Sequence, residues 1–553
     1  MKKNRIEPAE IWKEYQKGVA YNDSIGLYEH VKQNEAFYFG DQWQGVNAPD
    51  LEKPVINFTH RVVSYFISML VSDDIGISLD PFFDDPKREE EAEQYKKAIE
   101  RVLEKTKYRS HCRTLLKDSA VDGDGCFYFR WDPDAVTGQD AEGDIAVELV
   151  DNTALVFGNP TTPEVQHQPY IILSQRLYVG DVQDEAEEAG IDPETIKPDE
   201  EEKTITDAEN YAEDLVTVLT KFYRDDNGRV HFVRVTKDVT LKKDTATEMQ
   251  LFPFAWMPWE VQKRTYHGKS AVTEIIPNQI YVNKLWAMFM EHQKRLAFPK
   301  VVYDRTRMGN WTNRVGEAIG VTGDPTTAIA SAFRAPDFSA QALELVERTI
   351  NHTKECMGAS DAALGNVNPD NTSAIIATQK ATAAPLELQR RSYFQLVEDS
   401  VRVICDMIRS YYGLRIVGVE EQPQPVMLPN GMMSEGEPSR VPMLFDFAAV
   451  DIDALELNVE VGSAAYWSEL TQMQTSENLF TKGIYNDAIL YLESIPDSYI
   501  KNKQAIIDSI KKTQEQAAAA QQMQPMPQGG GNPLNYAAIN MQQAMQTAPE
   551  RAL

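Results

Sequence analysis

The sequence predicts an α+β fold that is predominantly helical. Apolar residues recur at steps of three and four over several long stretches, which is the spacing that lines up one face of a helix. Aromatic or β-branched runs bounded by turn residues predict strands between the helices, for example over residues 126–131 and within 215–261. The chain has 553 residues, more than one hydrophobic core accommodates, so we expect several domains.

Composition and charge exclude some classes of function. Hydrophobic residues make up 42% of the chain, which is enough to bury a core. There are 84 Asp and Glu against 55 Lys and Arg, so the formal net charge is −29. A protein that grips DNA by its phosphates carries the opposite sign, because its affinity comes from cations that displace counterions. A surface past which DNA slides is still compatible with this charge, since acidic side chains do not bind the phosphates.

The cysteines and the hydropathy pattern bear on the compartment. The four cysteines are widely spread, with no CxxC pair and no Cys/His spacing typical of zinc, so we expect reduced core residues of a protein made in the cytoplasm. The N-terminus lacks the apolar region of a secretion signal. The longest apolar stretch, residues 62–71, is too short to cross a bilayer and predicts no membrane span.

The first half of the chain is predicted to alternate helices and strands. A helix over residues 8–39 should break near 22–24 and end at Gly40. The acidic stretch 181–214 predicts a solvated helical excursion or a mobile loop. The other elements predicted in this half are a helix after the extended segment 54–57, a helix pair over 87–121, a turn at 122–125 that opens a strand at 126–131, and strands within 145–180 and 215–261. The Asp-Gly pairs of 122–125 also match the start of a calcium loop, but Cys126 occupies the third ligand position, which favours a turn.

A long amphipathic helix is predicted next, with Pro277 near its start and Pro299 marking its end. Its apolar stripe consists of Tyr281, Leu285, Met288, His292 and Leu296. A strand at 301–303, a loop-rich section to residue 336 and a second helix over 340–357 follow. Two helices flanking a compact insertion of this kind predict a hairpin-like stalk with a small domain at its tip. The stripe is compatible with an ordinary core helix as well as with a subunit contact.

The C-terminal part begins with a small, polar, turn-forming segment, residues 358–372. A very long helix is predicted over 373–412, with a kink at Pro385. Strands are predicted within 414–462 and helices within 466–512, and the chain from Gln514 onward is a Gln-rich, low-complexity tail that we expect to be disordered.

No motif predicts catalysis. Gly268-Lys269-Ser270 resembles the end of a phosphate-binding loop, but Lys263 stands where that loop requires glycine, so we expect Ser270 to cap the following helix. Neither HExxH nor GxSxG occurs. We therefore expect no catalytic residue, no metal site and no cofactor, and we predict that the protein is not an enzyme.

Several short motifs, taken in order, resemble the portal proteins of tailed bacteriophages, especially the larger type of short-tailed phages. They span residues 35–415 and are Phe39-Gly40-Asp41-Gln42-Trp43, Pro54-Val55-Ile56-Asn57, His267-Gly268-Lys269-Ser270, Asn278-Gln279-Ile280, Asn283-Lys284 and Phe298-Pro299-Lys300-Val301-Val302. No single motif is specific; the resemblance depends on their order and spacing.

The resemblance implies the portal fold, with wing, stem, clip and crown regions, assembled as a dodecameric ring at one capsid vertex. The regions would be an α/β wing at 1–265, stem helix 1 at 266–298, the clip at 299–338, stem helix 2 at 339–357, a tunnel loop at 358–372, a long kinked wing helix at 373–412, the remaining wing and crown at 413–512, and the tail at 513–553. Long heptads that would define a C-terminal helical barrel are missing.

The implied function is a conduit for packaging and ejecting viral DNA. The implied partners are further copies of the chain, the major capsid and scaffolding proteins, the terminase motor, the head-tail adaptor, and double-stranded DNA that passes without sequence specificity. The ring would be assembled in the host bacterial cytoplasm and reside in the virion, and no membrane is involved.

Two sets of candidate site residues follow from the resemblance. The channel loop would expose polar groups without a single Lys or Arg between residues 358 and 372, and its candidates are Asp361, Asn366, Asn368, Asp370, Asn371 and Ser373. By contrast, residues 294–314 have six Lys and Arg against one Asp, a local charge of +5. This run is either a docking surface for a partner or a solvated basic face. The docking candidates in the clip are Arg305, Arg307, Trp311 and Arg314.

Two other classes of function stay open on the sequence alone. A different structural component of the virion, such as a head-tail adaptor or an internal core protein, fits the same composition. A packaging ATPase or nuclease fits less well, because the phosphate-binding loop is incomplete.

Overall fold

A computed structural model describes most of the chain up to residue 461. The described residues are 7–49, 51–71, 75–82, 85–139, 141–199, 214–297, 300–310, 314, 320–324, 326–327, 330–333, 340–359, 384–427, 433–450, 455–461, 492, 506–507 and 510. Residues 1–462 form one compact unit and residues 463–553 another, and every element below belongs to the first.

The fold combines α-helices with β-strands, and helical residues outnumber strand residues among those described. The helices are α1 (Pro8–Ser24), α2 (Leu27–Phe39), α3 (Phe58–Leu70), α4 (Pro86–Lys105), α5 (Tyr108–Asp122), α6 (Val179–Glu188), α7 (Ala271–Ala297), α8 (Ala340–Cys356) and α9 (Glu387–Tyr411). The strands are β1 (Ile75–Pro81), β2 (Asp124–Asp132), β3 (Asp144–Val150), β4 (Leu155–Phe157), β5 (Tyr170–Tyr178), β6 (Leu215–Arg224), β7 (Val230–Val235), β8 (Thr240–Ala246), β9 (Phe254–Pro258), β10 (Lys300–Tyr303), β11 (Ala330–Phe333), β12 (Leu414–Met427), β13 (Met433–Asp446) and β14 (Leu455–Val461).

The N-terminal helices begin and end where the sequence predicts. The break between α1 and α2 falls at Gly26, whose φ of +70° is left-handed, and α2 ends at Gly40, whose φ is +99°. Glycine is the residue that adopts this conformation without strain. The side chain of Asn57 caps α3 by accepting a hydrogen bond from the His60 N–H at 3.0 Å. The predicted helix pair over 87–121 is present as α4 and α5.

The two largest sheets of this unit are antiparallel. One has three strands in the order β3-β2-β9, and the other has five in the order β4-β5-β6-β7-β8. The five-stranded sheet is buried on both faces, and its side chains alternate accordingly. Leu155 and Phe157 pack with aromatic residues such as Tyr266, whereas Val156 between them packs against Trp12 of α1. The predicted acidic excursion contributes α6, while residues 200–213 lie outside the described residues.

The largest core lies beside the three-stranded sheet. It includes α2, α3, α4, α5, α9 and the first half of α7, and its fully buried side chains include Tyr95, Tyr108, Phe66, Phe127 and Tyr393. Two strands that are distant in sequence, β1 and β14, lie beside this core and pair with each other. The pairing is antiparallel and runs from Ile75 opposite Val461 to Pro81 opposite Leu455. Neither the strand β1 nor this pairing was predicted.

Helices α7 and α8 contact each other and carry a two-stranded β10-β11 sheet. The Asn278 side-chain amide donates to Thr353 Oγ1 at 3.0 Å and joins the two helices. The predicted helices and the strand at 301–303 are therefore present. The section to residue 336 is not all loop, since β11 pairs with β10. A four-residue strand is defined by its partner across the sheet, and no local pattern marks it.

Pro277 lies further inside α7 than predicted. The helix begins at Ala271, so Pro277 lies in its second turn. Ser270 caps the helix as predicted, because its hydroxyl accepts the Val272 N–H at 3.0 Å. Pro277 is on the exposed side of α7, where water can solvate the carbonyl that loses its partner.

The C-terminal strands are as predicted, with β12 and β13 paired antiparallel. Pro385 lies in a 3-10 turn, Ala384–Leu386, directly before α9. The predicted helix is thus present after Pro385, and its part at 373–383 lies outside the described residues, as do the helices predicted within 466–512 apart from isolated positions. Among the described residues, no helix combines the length and the apolar character needed to cross a membrane.

Candidate functional site

The motifs behind the family resemblance meet in space around the first half of α7. Gln279 is fully buried, and its amide donates to the Ile56 carbonyl at 2.7 Å. Its carbonyl oxygen accepts from the Thr59 N–H at 3.3 Å and the Thr59 hydroxyl at 3.1 Å. One side chain of α7 therefore fixes both the extended 54–57 segment and the first turn of α3.

Asn283, one turn later, extends this network. Its Oδ1 accepts the Ile56 N–H at 3.3 Å and the Gln279 amide at 3.0 Å. Its Nδ2 donates to Gln42 Oε1 at 2.6 Å, and Gln42 in turn donates to the Phe37 carbonyl at 2.8 Å. We call Gln42, Gln279 and Asn283 the Gln279/Asn283 network. Because buried amides need their partners, these positions tolerate few other residues.

Two further contacts tie the first two motifs to each other. The Trp43 indole N–H donates to the Pro54 carbonyl at 3.0 Å. The Asn57 amide donates to the Tyr38 carbonyl at 2.8 Å. The loop after α2 and the segment before α3 are therefore fixed against each other as well as against α7.

The motif at 267–270 belongs to a second buried cluster at the start of α7. The His267 ring lies 2.7 Å from Asp124 Oδ2 through Nδ1 and 3.2 Å from Asn22 Oδ1 through Nε2. Tyr266 donates to Asn22 Oδ1 at 3.1 Å, and the Gly268 N–H donates to Asp124 Oδ1 at 2.6 Å. We call these residues the Asp124/His267 cluster. It joins α1, β2 and the segment that leads into α7.

Burial raises the pKa of Asp124, and the attraction of His267 with the hydrogen bonds from Gly268 and Asn152 only partly offsets that effect. No sequence pattern predicts a buried carboxylate here, since Asp124 stands in a run of Asp-Gly pairs that is typical of a solvated turn. The backbone approach beside it is very close. A Cβ on Gly268 would lie 2.5 Å from the Gly123 carbonyl oxygen, so only glycine fits there.

The apolar stripe predicted on α7 faces the core of the chain only in part. The buried face of α7 is made by Val272, Ile275, Ile276, Gln279, Val282, Asn283 and Ala287. Tyr281 and Met288 are 43% and 59% exposed, and Leu345 of α8 is 45% exposed. Phe39, at the end of α2, is 71% exposed. Of the predicted stripe, Tyr281 and Met288 are therefore left uncovered, whereas Leu285 is half-buried against the core.

A groove of about 470 Å³ lies between α2 and α7 near Phe37. Gln42 and Asn283 of the Gln279/Asn283 network line it, together with Trp43, Ile280 and Lys284. The network thus forms part of a concave surface as well as part of the core.

The predicted clip residues fall into different environments. The Arg307 guanidinium donates to the Asp324 carbonyl at 2.9 Å and so holds its own loop. Arg305 is exposed and makes no ion pair within the part of the chain that is described. Arg314 is exposed, and Trp311 lies outside the described residues. Two other cations of the basic run have acidic neighbours, since Lys294 is 3.6 Å from Glu52 and Arg295 is 2.9 Å from Glu291.

The predicted channel-loop residues all lie outside the described residues: Asp361, Asn366, Asn368, Asp370, Asn371 and Ser373. The described chain reaches Ala359 on one side and resumes at Ala384 on the other. Gly358, at the end of α8, packs against the ring of Pro385, since a Cβ there would lie 2.7 Å from Pro385 Cβ. The described residues that flank the segment 360–383 are therefore in contact with each other.

The phosphate-loop resemblance has a structural explanation. The Gly268 N–H, which a phosphate would need, is already bonded to Asp124. Lys269 pairs with Glu274, and Ser270 donates to the Ala120 and Val121 carbonyls. Among the described residues, no group of three His, Cys, Asp or Glu side chains is arranged to hold a metal ion. The three motif residues serve the junction into α7.

No protein-family profile matches the chain, and no curated protein is significantly similar to it in sequence.

Proposed function

We propose that this chain is the portal vertex protein of a tailed bacteriophage, a ring-shaped conduit through which viral DNA enters and leaves the capsid. One observation carries the proposal. Two separated motifs that resemble those of portal proteins, at 39–43 and 54–57, are hydrogen-bonded to Gln279 and Asn283, which belong to two further motifs on α7 at the root of a two-helix stalk. Motifs that are merely coincidental have no reason to converge.

Ring assembly is supported by the uncovered face of the stalk. Tyr281, Met288 and Leu345 lie on two adjacent helices, and a single copy of the chain leaves them in water. Contiguous exposed apolar side chains are typical of subunit contacts. Since a heterologous contact closes into a ring when its rotation fits, identical copies would bury this face against one another around an axis. In the portal family the ring has twelve subunits.

The partners follow from this assignment. The ring would replace a pentamer in the capsid shell, form there with scaffolding protein, dock the terminase motor during packaging and receive the head-tail adaptor afterwards. Arg305 of the clip is a solvent-exposed cation available to an acidic docking partner. The segment 358–372 would border the DNA path and offer hydrogen bonds to the DNA. It has no Lys or Arg that would retain the phosphates.

Native mass spectrometry with negative-stain microscopy of the purified full chain tests this function. We expect a high oligomer and a ring with a central hole. Replacing two exposed stalk residues, as Tyr281→Glu with Met288→Glu, should lower the subunit number, because paired carboxylates cannot be buried without partners. Val136→Glu, at an 88% exposed position away from the stalk, is the matched control and should leave the ring intact.

Three results would count against the proposal. A stable wild-type monomer at micromolar concentration excludes a ring. A ring that survives the double substitution places the subunit contact elsewhere. A compact oligomer without a hole favours an internal core protein of the virion.

A further inference from the structure

A small cavity of about 170 Å³ lies between α4, the segment before β3 and the start of β12. It is separate from the motifs described above. We call it the Arg101/Arg415 cup, and its polar lining consists of Gln94, Lys97, Arg101, Gln139, Asp144, Tyr412 and Arg415.

Arg415 is held rigidly in the wall of the cup and is only 7% exposed. Its Nη2 donates to the Gly143 carbonyl at 2.7 Å, and its Nε donates to the Tyr412 carbonyl at 3.2 Å. The guanidinium also lies over the Tyr412 ring, 4.2 Å from the ring centroid. Its remaining nitrogen, Nη1, has no hydrogen-bond partner among the described residues. A fixed guanidinium with one free edge is preorganised for an oxyanion.

Gln94 supplies a second unused donor. Its side chain is only 9% exposed, and it makes no hydrogen bond within the described residues. The residue lines the cavity, so its amide is open to a ligand bound there. Gln139, by contrast, is fully engaged, because its amide bonds both the N–H and the carbonyl of Ile416, at 3.0 and 2.9 Å.

The charge balance of the cup favours an anion. Arg101 is exposed at the rim and has no acidic partner in the described part of the chain, whereas Lys97 pairs with Glu93 at 2.7 Å. The one carboxylate, Asp144, is already bonded to Lys105 at 2.5 Å and to the Tyr412 hydroxyl at 2.8 Å. Burial lowers the pKa of Arg415, and the positive charge of Arg101 acts in the same direction. Two guanidinium groups therefore line one cavity whose single carboxylate already has Lys105 as its ion-pair partner.

We propose that the Arg101/Arg415 cup binds a phosphate group. A tetrahedral oxyanion presents acceptors in several directions, which matches the free donors of Gln94, Arg101 and Arg415, and it would relieve the repulsion between the two guanidinium groups. The site is a local concentration of positive charge in a chain whose net charge is −29. It goes beyond the proposed function and does not depend on it.

Calorimetric titration of the full chain with inorganic phosphate at constant ionic strength tests the proposal. Wild type should bind phosphate with a dissociation constant below about 1 mM, because two or more charge-assisted hydrogen bonds form. Arg101→Gln should weaken binding about tenfold, as expected for the loss of one such bond. Gln94→Leu should weaken it several-fold without changing the net charge. Arg61→Gln removes the same charge at an exposed position on α3 and should have little effect.

Short double-stranded DNA distinguishes two sources of the phosphate group. If the occupant is a DNA phosphate, DNA displaces inorganic phosphate and Arg101→Gln weakens DNA binding. If the occupant is free phosphate, Arg101→Gln leaves DNA binding unchanged and weakens phosphate binding alone. No phosphate binding by wild type, or equal losses for Arg61→Gln and Arg101→Gln, would overturn the proposal, since equal losses indicate bulk electrostatics.

Discussion

The surroundings of Asp122 disfavour the ionised form of its carboxyl group. It is the last residue of α5, where the partial negative charge of the helix end already disfavours a carboxylate. Its Oδ1 is buried without a hydrogen-bond partner among the described residues. Burial raises the pKa of Asp122 well above its ordinary value, and three neighbouring carboxylates raise it further: Glu35, Asp118 and Asp151. Lys117 opposes this increase only in part.

The pH dependence follows from that direction. Because the pKa is higher in the folded chain than in the unfolded chain, the folded state holds the proton more tightly. This contribution therefore favours folding below the unfolded pKa and is lost as pH rises through the folded pKa. Asp122→Asn should stabilise the chain by about 1–2 kcal/mol at pH 7, where the ionised carboxylate would otherwise be buried and unpaired. The difference in stability should vanish below about pH 4, where the Asp122 carboxyl becomes protonated in the unfolded chain as well as in the folded chain.

Urea unfolding of wild type and Asp122→Asn at pH 7 and at pH 4 measures this effect. Asp226→Asn, at an exposed position in the turn between β6 and β7, is the matched control and should change stability little at either pH. Equal stability of wild type and Asp122→Asn at pH 7 would show that the Asp122 carboxylate is solvated in the folded chain.

At the scale of elements, the turn between α5 and β2 packs closely against the segment that leads into α7. Gly123 has a φ of +103°, and its carbonyl accepts the Trp259 N–H at 2.8 Å. Gly268 lies directly against it, and the atoms that surround Gly268 are mostly backbone. Backbone atoms cannot move aside as a flexible side chain can, so this contact fixes the position at which α7 begins.

Gly268→Ala should therefore destabilise the chain by about 1–3 kcal/mol, the usual result of overpacking. Thermal unfolding followed by circular dichroism measures it. Gly180→Ala in α6 is the control, because nothing lies within 4 Å of the added methyl and alanine favours a helix. A Gly268→Ala variant as stable as wild type would mean that α7 is not fixed at this point.

At the scale of the whole molecule, the proposed conduit depends on a surface that does not hold DNA. The segment 358–372 joins the end of α8 to the region before α9 and has two acids and no base. Asp361→Lys with Asp370→Lys would put two positive charges per subunit around the channel. We expect the ring to assemble normally and DNA packaging to slow, most at low ionic strength, because phosphates would then be retained.

Packaging of DNA into particles built with the charge-reversed chain measures this effect. The matched control is the neutral pair Asp361→Asn with Asp370→Asn, which removes the acids without adding bases and should package normally. Unchanged packaging by the Lys variant at every ionic strength would remove the segment from the DNA path.

The positions of several helices and of their ends follow local rules, so they could be predicted from the sequence alone. Apolar periodicity located α7, α8 and α9, glycines with left-handed backbone ended α2 and α5, and Ser270 capped α7 as expected. These features arise from backbone sterics and from the 3.6-residue repeat, so a short window of residues contains the information. The absence of complete catalytic motifs was also a property of the sequence alone.

Contacts between residues far apart in the chain could be identified only in the tertiary structure. The pairing of β1 with β14, the hydrogen bonds from Gln279 to Thr59, and the buried contact of Asp124 with His267 join positions far apart in the chain. The stripe on α7 is visible in the sequence, but the exposure of Tyr281 and Met288 follows only from the structure, in which the core is packed mainly by another face of the helix. The Arg101/Arg415 cup likewise combines three distant segments. Burial and charge pairing are sums over all neighbours in space, and a linear pattern specifies only the neighbours along the chain.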